Sequence, residues 1–514
     1  MLDADTVTRI SHPGDVFVFP VERIGRYGAC HVVAVDEENQ LATVAVLAWT
    51  GTQVPRVSEV AGAPRMIKDF YFWTPREVLS NVPLAVPEPL IHIGSLPVTG
   101  ETKSQSYGSW DVGRDVVGQH RWDAKPHAVT AAFTAALTRD ETIRTLGLVY
   151  GRGGEQYEAK VASARSFSDD AGYRILEDFR LEALRSWPLL HQLTLHSWRD
   201  DLVPFLESSE LVHDLTLDGH DQRELDLSRT HLGQLSVDVT GLERLVVPST
   251  LETLILRAHV PGAQPSLAVV AEDGGRWITV RLTKTVLPVR GLERARGLSV
   301  HRIGALDLED VVEYFPEVTW LHLFGCPGTL DHLPALTKLA RLETLWLCDL
   351  FGYPVEDVPS PHELPALVSL DLDSIPADVA AYVRGAYKKT PRVVLTVRKP
   401  RKPEWLAENI DYPLRHWDGQ EEIPAIVAKK ARTAFVVALR QVRDTDAAAP
   451  EFTTCVTAAV EEFVGVVAML NRKHHFLYTL ERDDVIDAVN VLTAGLPAQA
   501  RRALEPFVEE ALDD

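Results

Sequence analysis

The chain has 514 residues, too many for one hydrophobic core, and a prior of roughly 100–200 residues per domain gives about three domains. Its 46% hydrophobic and 24% charged residues include no apolar run of about 18 or more, and the acidic opening Met1-Leu-Asp-Ala-Asp-Thr6 lacks a basic and apolar leader, so neither a membrane span nor a secretory signal is expected. A formal net charge of −21 repels phosphate backbones, which argues against a nucleic-acid partner and favours a basic one.

Residues 1–123 read as a β-rich domain. Asp15-Val-Phe-Val-Phe-Pro20, Ala29 to Val35 and Leu41 to Trp49 are strand candidates, the last two joined by the polar turn Asp36-Glu-Glu-Asn-Gln40. Short runs at Phe70 to Trp73 and Leu90 to Ile93 extend the pattern into a small twisted sheet or partial barrel. His92, His120 and His127, with Asp111 and Asp115, are the only cluster of titratable residues here. They lack the spacing of metal ligands or of a nucleophile, base and orienter. The opening His12-Pro-Gly-Asp-Val-Phe-Val-Phe-Pro20, followed by Gly25-Arg-Tyr-Gly28 and a Val-rich strand, resembles the immunity protein 26 family. That resemblance implies a bacterial immunity domain directed against a polymorphic toxin. The glycine–tyrosine–glycine spacing is shorter than the family's, and its polar cluster is not visible in this sequence.

Residues 124–180 read as a mixed α/β connector or cap. His127 to Leu137 is Ala-rich and helical, and Thr142 to Tyr150 is a strand candidate. Gly151-Arg-Gly-Gly154 is a turn without the Lys-Ser/Thr of a P-loop. Asp169-Asp170 opens a helical pattern running to Leu184, placed to cap the leucine-rich region that begins near Leu190.

Residues 181–398 carry ten versions of Leu-x-x-Leu-x-Leu. Aligned on the fourth position they fall at Leu193, Leu215, Leu225, Leu235, Leu245 and Leu254, and after a break at Gly262 to Arg290 at Leu298, Leu321, Leu345 and Leu370. The late steps of 23 to 25 residues hold a strand and a return segment. The early steps of 9 or 10 hold only a strand and a turn, unless alternate short segments form the return side. Val318-Thr-Trp-Leu-His-Leu-Phe-Gly-Cys326 matches the template best, with Cys at its ninth position. The series resembles the leucine-rich repeat, which implies a solenoid with a long strand face for binding proteins. Leucines that point inward send the intervening residues outward. The predicted partner-binding residues are therefore Trp320, His322 and Phe324, then Trp346, flanked by Thr344 and Cys348, then Asp371 and Asp373. Asp214, Asp218, Asp226 and Asp238 extend the same face as an acidic surround. The basic run Lys388 to Lys402 reads as a linker or capping strand.

Residues 399–514 read as a helical domain, with apolar residues at helical spacing over Ile423 to Arg443, Pro450 to Asn471, Asp483 to Leu492 and Gln499 to Leu512. The tandem His474-His475 has no nearby cysteine or spaced carboxylate. Cys30, Cys326, Cys348 and Cys455 form no Cys-x-x-Cys pair, which fits a reducing cytoplasm and argues against a disulfide framework or structural zinc. The expected fold class is an α/β multidomain protein: a β-rich N-terminal domain, a leucine-rich-repeat-like solenoid and a C-terminal helical domain. The expected function is binding another protein in the bacterial cytoplasm, with neutralisation of a basic toxin as its sharpest form. No cofactor, metal, membrane or nucleic acid is expected, and no enzymatic activity. The alternatives are a scaffold or regulatory module without a toxin, and an enzyme concealed in the N-terminal domain.

Overall fold

A computed structural model describes residues 9–70, 75–87, 90–108, 110–150, 155–169, 173–258, 266–388, 390, 393–403, 405, 412–417, 420, 423–447 and 449–513. The chain forms two compact units, Met1–Ile278 and Thr279–Asp514.

The first unit opens with five antiparallel strands, in the order Leu79–Pro83, Leu41–Gly51, Arg26–Asp36, Asp15–Val21 and Ile91–Ser95. The central strands are apolar on both faces, and alternation sorts their residues into two cores. Phe17, Phe19, Cys30, Val32, Val44 and Val46 pack beneath helix Gly113–Asp123, through Val116 and Val117. Val16, Val18, Ala29 and Leu47 pack on the other side against Val60. The Pro-Gly-Asp motif has a local cause. His12 to Asp15 make a tight turn in which Asp15 N–H donates to the His12 carbonyl at 3.0 Å, and Gly14 sits at φ 98°. The buried Asp15 carboxylate accepts the His12 N–H at 3.0 Å and is bonded to His92 Nε2 and Ser95 Oγ. Of the expected run Phe70 to Trp73, only Phe70 lies within the described residues, and the expected turn Gly151 to Gly154 lies outside them. The helical pattern expected up to Leu184 is instead strand Tyr173–Ile175 and a 3-10 turn, Leu181–Ser186.

Five parallel strands follow in this unit: Ser166–Ser168, Gln192–Leu195, Asp214–Leu217, Gln234–Asp238 and Thr253–Arg257. Phe167, Leu193, Leu215, Leu235 and Leu254 are in register across them. A second sheet explains the ten-residue spacing. Leu225, Leu245 and Val269 align in a separate parallel sheet whose strands include Glu224–Asp226, Arg244–Val246 and Leu267–Val270. Alternate repeats thus feed two sheets, and every aligned leucine is buried.

Among the described residues of the second unit, six parallel strands continue the aligned series: Thr279–Thr283, Gly297–Asp307, Trp320–Asp331, Thr344–Phe351, Ser369–Asp373 and Val394–Arg398. Val280, Leu298, Leu321, Leu345, Leu370 and Leu395 share one register. Helix Leu308–Tyr314, 3-10 turns Leu333–Lys338 and Val355–Asp357, and helix Ala377–Tyr387 make the crossovers that parallel strands require. Asp307 caps the first of these helices by accepting the Glu309 N–H at 2.9 Å. Helices Ala425–Asp444, Phe452–His474, Thr479–Leu492 and Ala498–Asp513 come next, around a core that includes Trp417, Phe435, Phe463 and Phe476. Among the described residues Phe452–His474 is the one helix long and apolar enough to cross a membrane; Val456, Val460, Phe463, Val464 and Val467 place its apolar side in this core.

The expected solenoid is therefore corrected. Among the described residues the aligned strands, five in the first unit and six in the second, belong to an α/β fold with helical crossovers and form no closed solenoid, and the N-terminal region is built on antiparallel strands. The physical reason lies in the return segments. A solenoid needs equivalent repeats, each packing on the next in the same way. Here the return is in turn a short strand, a 3-10 turn and a helix of up to 11 residues, so successive repeats are not equivalent.

Candidate functional site

Leu321, Leu323, Leu345, Leu347, Leu370 and Leu372 are all less than 5% exposed. Period-two geometry then sends Trp320, His322 and Phe324, Thr344, Trp346 and Cys348, and Ser369, Asp371 and Asp373 to the opposite face. Strand register lines these up in three rows. Trp320 pairs with Thr344 and Ser369; His322 with Trp346 and Asp371; Phe324 with Cys348 and Asp373. All six predicted partner-binding residues are half-buried.

The rings touch one another. His322 lies 4.6 Å from Trp320 and 5.3 Å from Trp346, centroid to centroid, and Phe324 lies 4.9 Å from Trp346. The last two contacts are edge-to-face, an arrangement aromatic pairs favour. The sequence reasoning missed His301, which stacks on Phe324 at 4.6 Å with its ring tilted only 14°. The signal is present in the sequence: Leu298-Ser-Val300 belongs to the aligned series, and one further step of alternation sends His301 outward. Ser299 Oγ is hydrogen-bonded to His301 Nε2 at 2.8 Å. Burial holds His322 down at about 4, against the opposing pull of Asp371, and burial lowers His301 as well. His322 is therefore neutral near pH 7. The Trp346 indole N–H is buried without a hydrogen-bond partner among the described residues.

The nearby carboxylates differ in their partners. Asp373 pairs with Arg398 at 3.1 Å, and Asp349 with the buried Arg415 at 3.1 Å. Asp371 accepts only a bond from Ser369 Oγ at 3.3 Å among the described residues. Cys326 and Cys348 are free thiols on adjacent strands. Burial raises both, Cys348 to about 12, so neither is an activated nucleophile at neutral pH.

In the first unit the acidic surround is only partly as expected. Asp214, Asp218 and Asp238 lie on or directly after the strands whose leucines align with Leu215, but Asp226 lies in the separate sheet and does not share their face. Asp169 binds His196 Nδ1 at 2.7 Å, Arg257 binds Asp218 at 2.5 Å, and Asp238 accepts the Thr240 hydroxyl at 2.7 Å. The N-terminal histidine cluster does not assemble around Asp111 and Asp115: His92 binds Asp15 and Asp115 binds Lys68. Among the described residues no group of three or more His, Cys, Asp or Glu is placed to hold a metal. Two cavities among the described residues do not coincide with the ladder. One is an apolar void behind the strands, lined by Leu345, Leu347, Leu370, Leu372 and Tyr387; the other is a small pocket between Arg23 and Trp277.

The chain matches no protein-family model and no curated protein sequence.

Proposed function

We propose that this protein is a binding module that engages another protein, of basic charge, through the aromatic ladder of its second unit. One observation carries the proposal: four half-buried rings in mutual contact on a strand face beside carboxylates. Large aromatic side chains on a preformed surface supply much of the energy of protein interfaces, and a net charge of −21 selects a cationic partner. The Pro-Gly-Asp opening, through its resemblance to the immunity protein 26 family, supports the narrower proposal that the partner is a bacterial toxin neutralised by direct binding in the cytoplasm.

The test is co-expression with basic toxins encoded by neighbouring genes, scored by growth. The wild-type chain restores growth. Trp346→Ala loses rescue, with binding weakened by about 2 kcal/mol or more, while the melting temperature stays within about 2 °C of wild type. Rescue by Trp346→Ala at wild-type strength overturns the proposal. A large fall in melting temperature assigns Trp346 to the fold instead.

A further inference from the structure

Asp371 differs from three paired carboxylates of the second unit. Asp349 is paired with Arg415, Asp373 with Arg398, and Asp487 with Arg302. Asp371 has no ion pair among the described residues, and its one side-chain bond comes from the neutral Ser369 hydroxyl. It is also half-buried, where an unpaired charge costs more than in open water. Its neighbours along the row are Trp346 and then His322 on one side and Thr396 on the other. His322 is close enough to sense the Asp371 charge, yet burial keeps it neutral near pH 7, so it does not serve as the counter-ion.

We infer that the His322–Trp346–Asp371 row is a receptor for a guanidinium group, an arginine side chain that the partner inserts. This rests on the ladder being the contact face. Adjacent parallel strands lie about 4.8 Å apart, so a group stacked on the Trp346 ring reaches Asp371 without leaving the row. Two interactions then coincide: the cation meets the π-faces of the ladder, and its N–H donors meet the carboxylate. Arginine fits better than lysine because its flat guanidinium stacks on a ring while its edge still donates to an oxygen pair. Insertion also supplies Asp371 with a positive charge, which no ion pair among the described residues provides.

The experiment uses the full chain and fluorescein-labelled hexa-arginine, hexa-lysine and hexa-citrulline peptides, read by anisotropy at physiological salt. Three variants are compared: Asp371→Asn, Trp346→Leu, and Glu38→Gln as a control of equal charge change on the exposed Asp36–Gln40 turn. The expected result is preference for hexa-arginine over hexa-lysine and no binding of hexa-citrulline. Asp371→Asn and Trp346→Leu should each weaken hexa-arginine by roughly tenfold, and Glu38→Gln by less than about twofold. Equal weakening by Asp371→Asn and Glu38→Gln overturns the inference, because the peptide then senses only the overall field. Equal affinity for arginine and lysine peptides overturns the guanidinium assignment. Asp371→Asn is isosteric, and an unchanged melting temperature shows that each variant is folded. If Trp346→Ala abolishes toxin rescue while Asp371→Asn changes neither rescue nor peptide affinity, the contact face stands and the receptor falls. If neither substitution affects rescue, the contact face itself falls.

Discussion

Gly297 shows how one residue without a side chain can position a functional one. It pairs with Trp320 across adjacent strands, and its own backbone is not in the left-handed region. The requirement is space: a Cβ built on Gly297 would lie 2.0 Å from Cε2 of the Trp320 indole. The indole therefore lies over the neighbouring strand, at one end of the ladder. The same arrangement occurs in the first unit, where a Cβ on Gly233 would lie 1.9 Å from Nε2 of His213. Gly297→Ala should push the Trp320 ring off its seat at a cost of about 1–3 kcal/mol, the range for overpacking a close-packed site. The near-UV circular dichroism should change with the melting temperature. An unchanged spectrum and an unchanged melting temperature would mean that Trp320 is not held where the register places it.

Within one strand, neighbouring residues should give opposite phenotypes, and this tests the register directly. Leu345 is 3% exposed and borders the apolar void behind the strands, so truncating it enlarges a space the surroundings have not closed. Leu345→Ala should destabilise by about 2–5 kcal/mol in urea unfolding, while Trp346→Ala leaves folding nearly intact. A loss below about 1 kcal/mol at Leu345 would invalidate the inward and outward assignments together. This level of structure was legible in the sequence because period two is strict: once Leu321 and Leu345 are aligned, the His322–Trp346–Asp371 row is determined. The return side was not legible. Nothing in the ten-residue steps distinguishes a tight coil from two sheets fed in alternation, and that choice misplaced Asp226. The fold class failed for the same reason, since the leucine spacing is written by the strands and says little about what connects them. Arg398 and Arg415 were also invisible, because their pairing with Asp373 and Asp349 spans 25 or more residues and leaves no local pattern.

Across the whole molecule, the same burial that shapes the ladder sets a pH dependence of stability. His31, His191 and His231 in the first unit and His301 and His322 in the second are all lowered from their ordinary value, in every case chiefly by burial. His191 and His322 fall to about 4. The fold thus prefers the neutral imidazole, whereas the unfolded chain takes up a proton near pH 6.5. Stability is complete above that value and is lost as pH falls toward 4, because in this window the unfolded state binds more protons. For His191, which is 3% exposed, the loss at pH 5 is about 2 kcal/mol. His332 opposes the trend: its bond to Asp307 raises it, so its contribution is present at low pH and fades as pH rises through its folded value. It is solvent-exposed, and screening keeps that contribution small. Acidification also relieves the repulsion expected from a net charge of −21, but most carboxylates titrate near pH 4, below the imidazole window. Urea midpoints should therefore fall steadily from pH 7 to 5.5. The fall should persist at high salt, because repulsion between surface charges is screened and burial of an imidazole is not. His322→Phe should flatten the slope of the second unit and leave that of the first unchanged. A midpoint that is flat or rises between pH 7 and 5.5 would show that His31, His191 and His322 are not buried as placed, and would remove the basis for treating His322 as neutral beside Asp371.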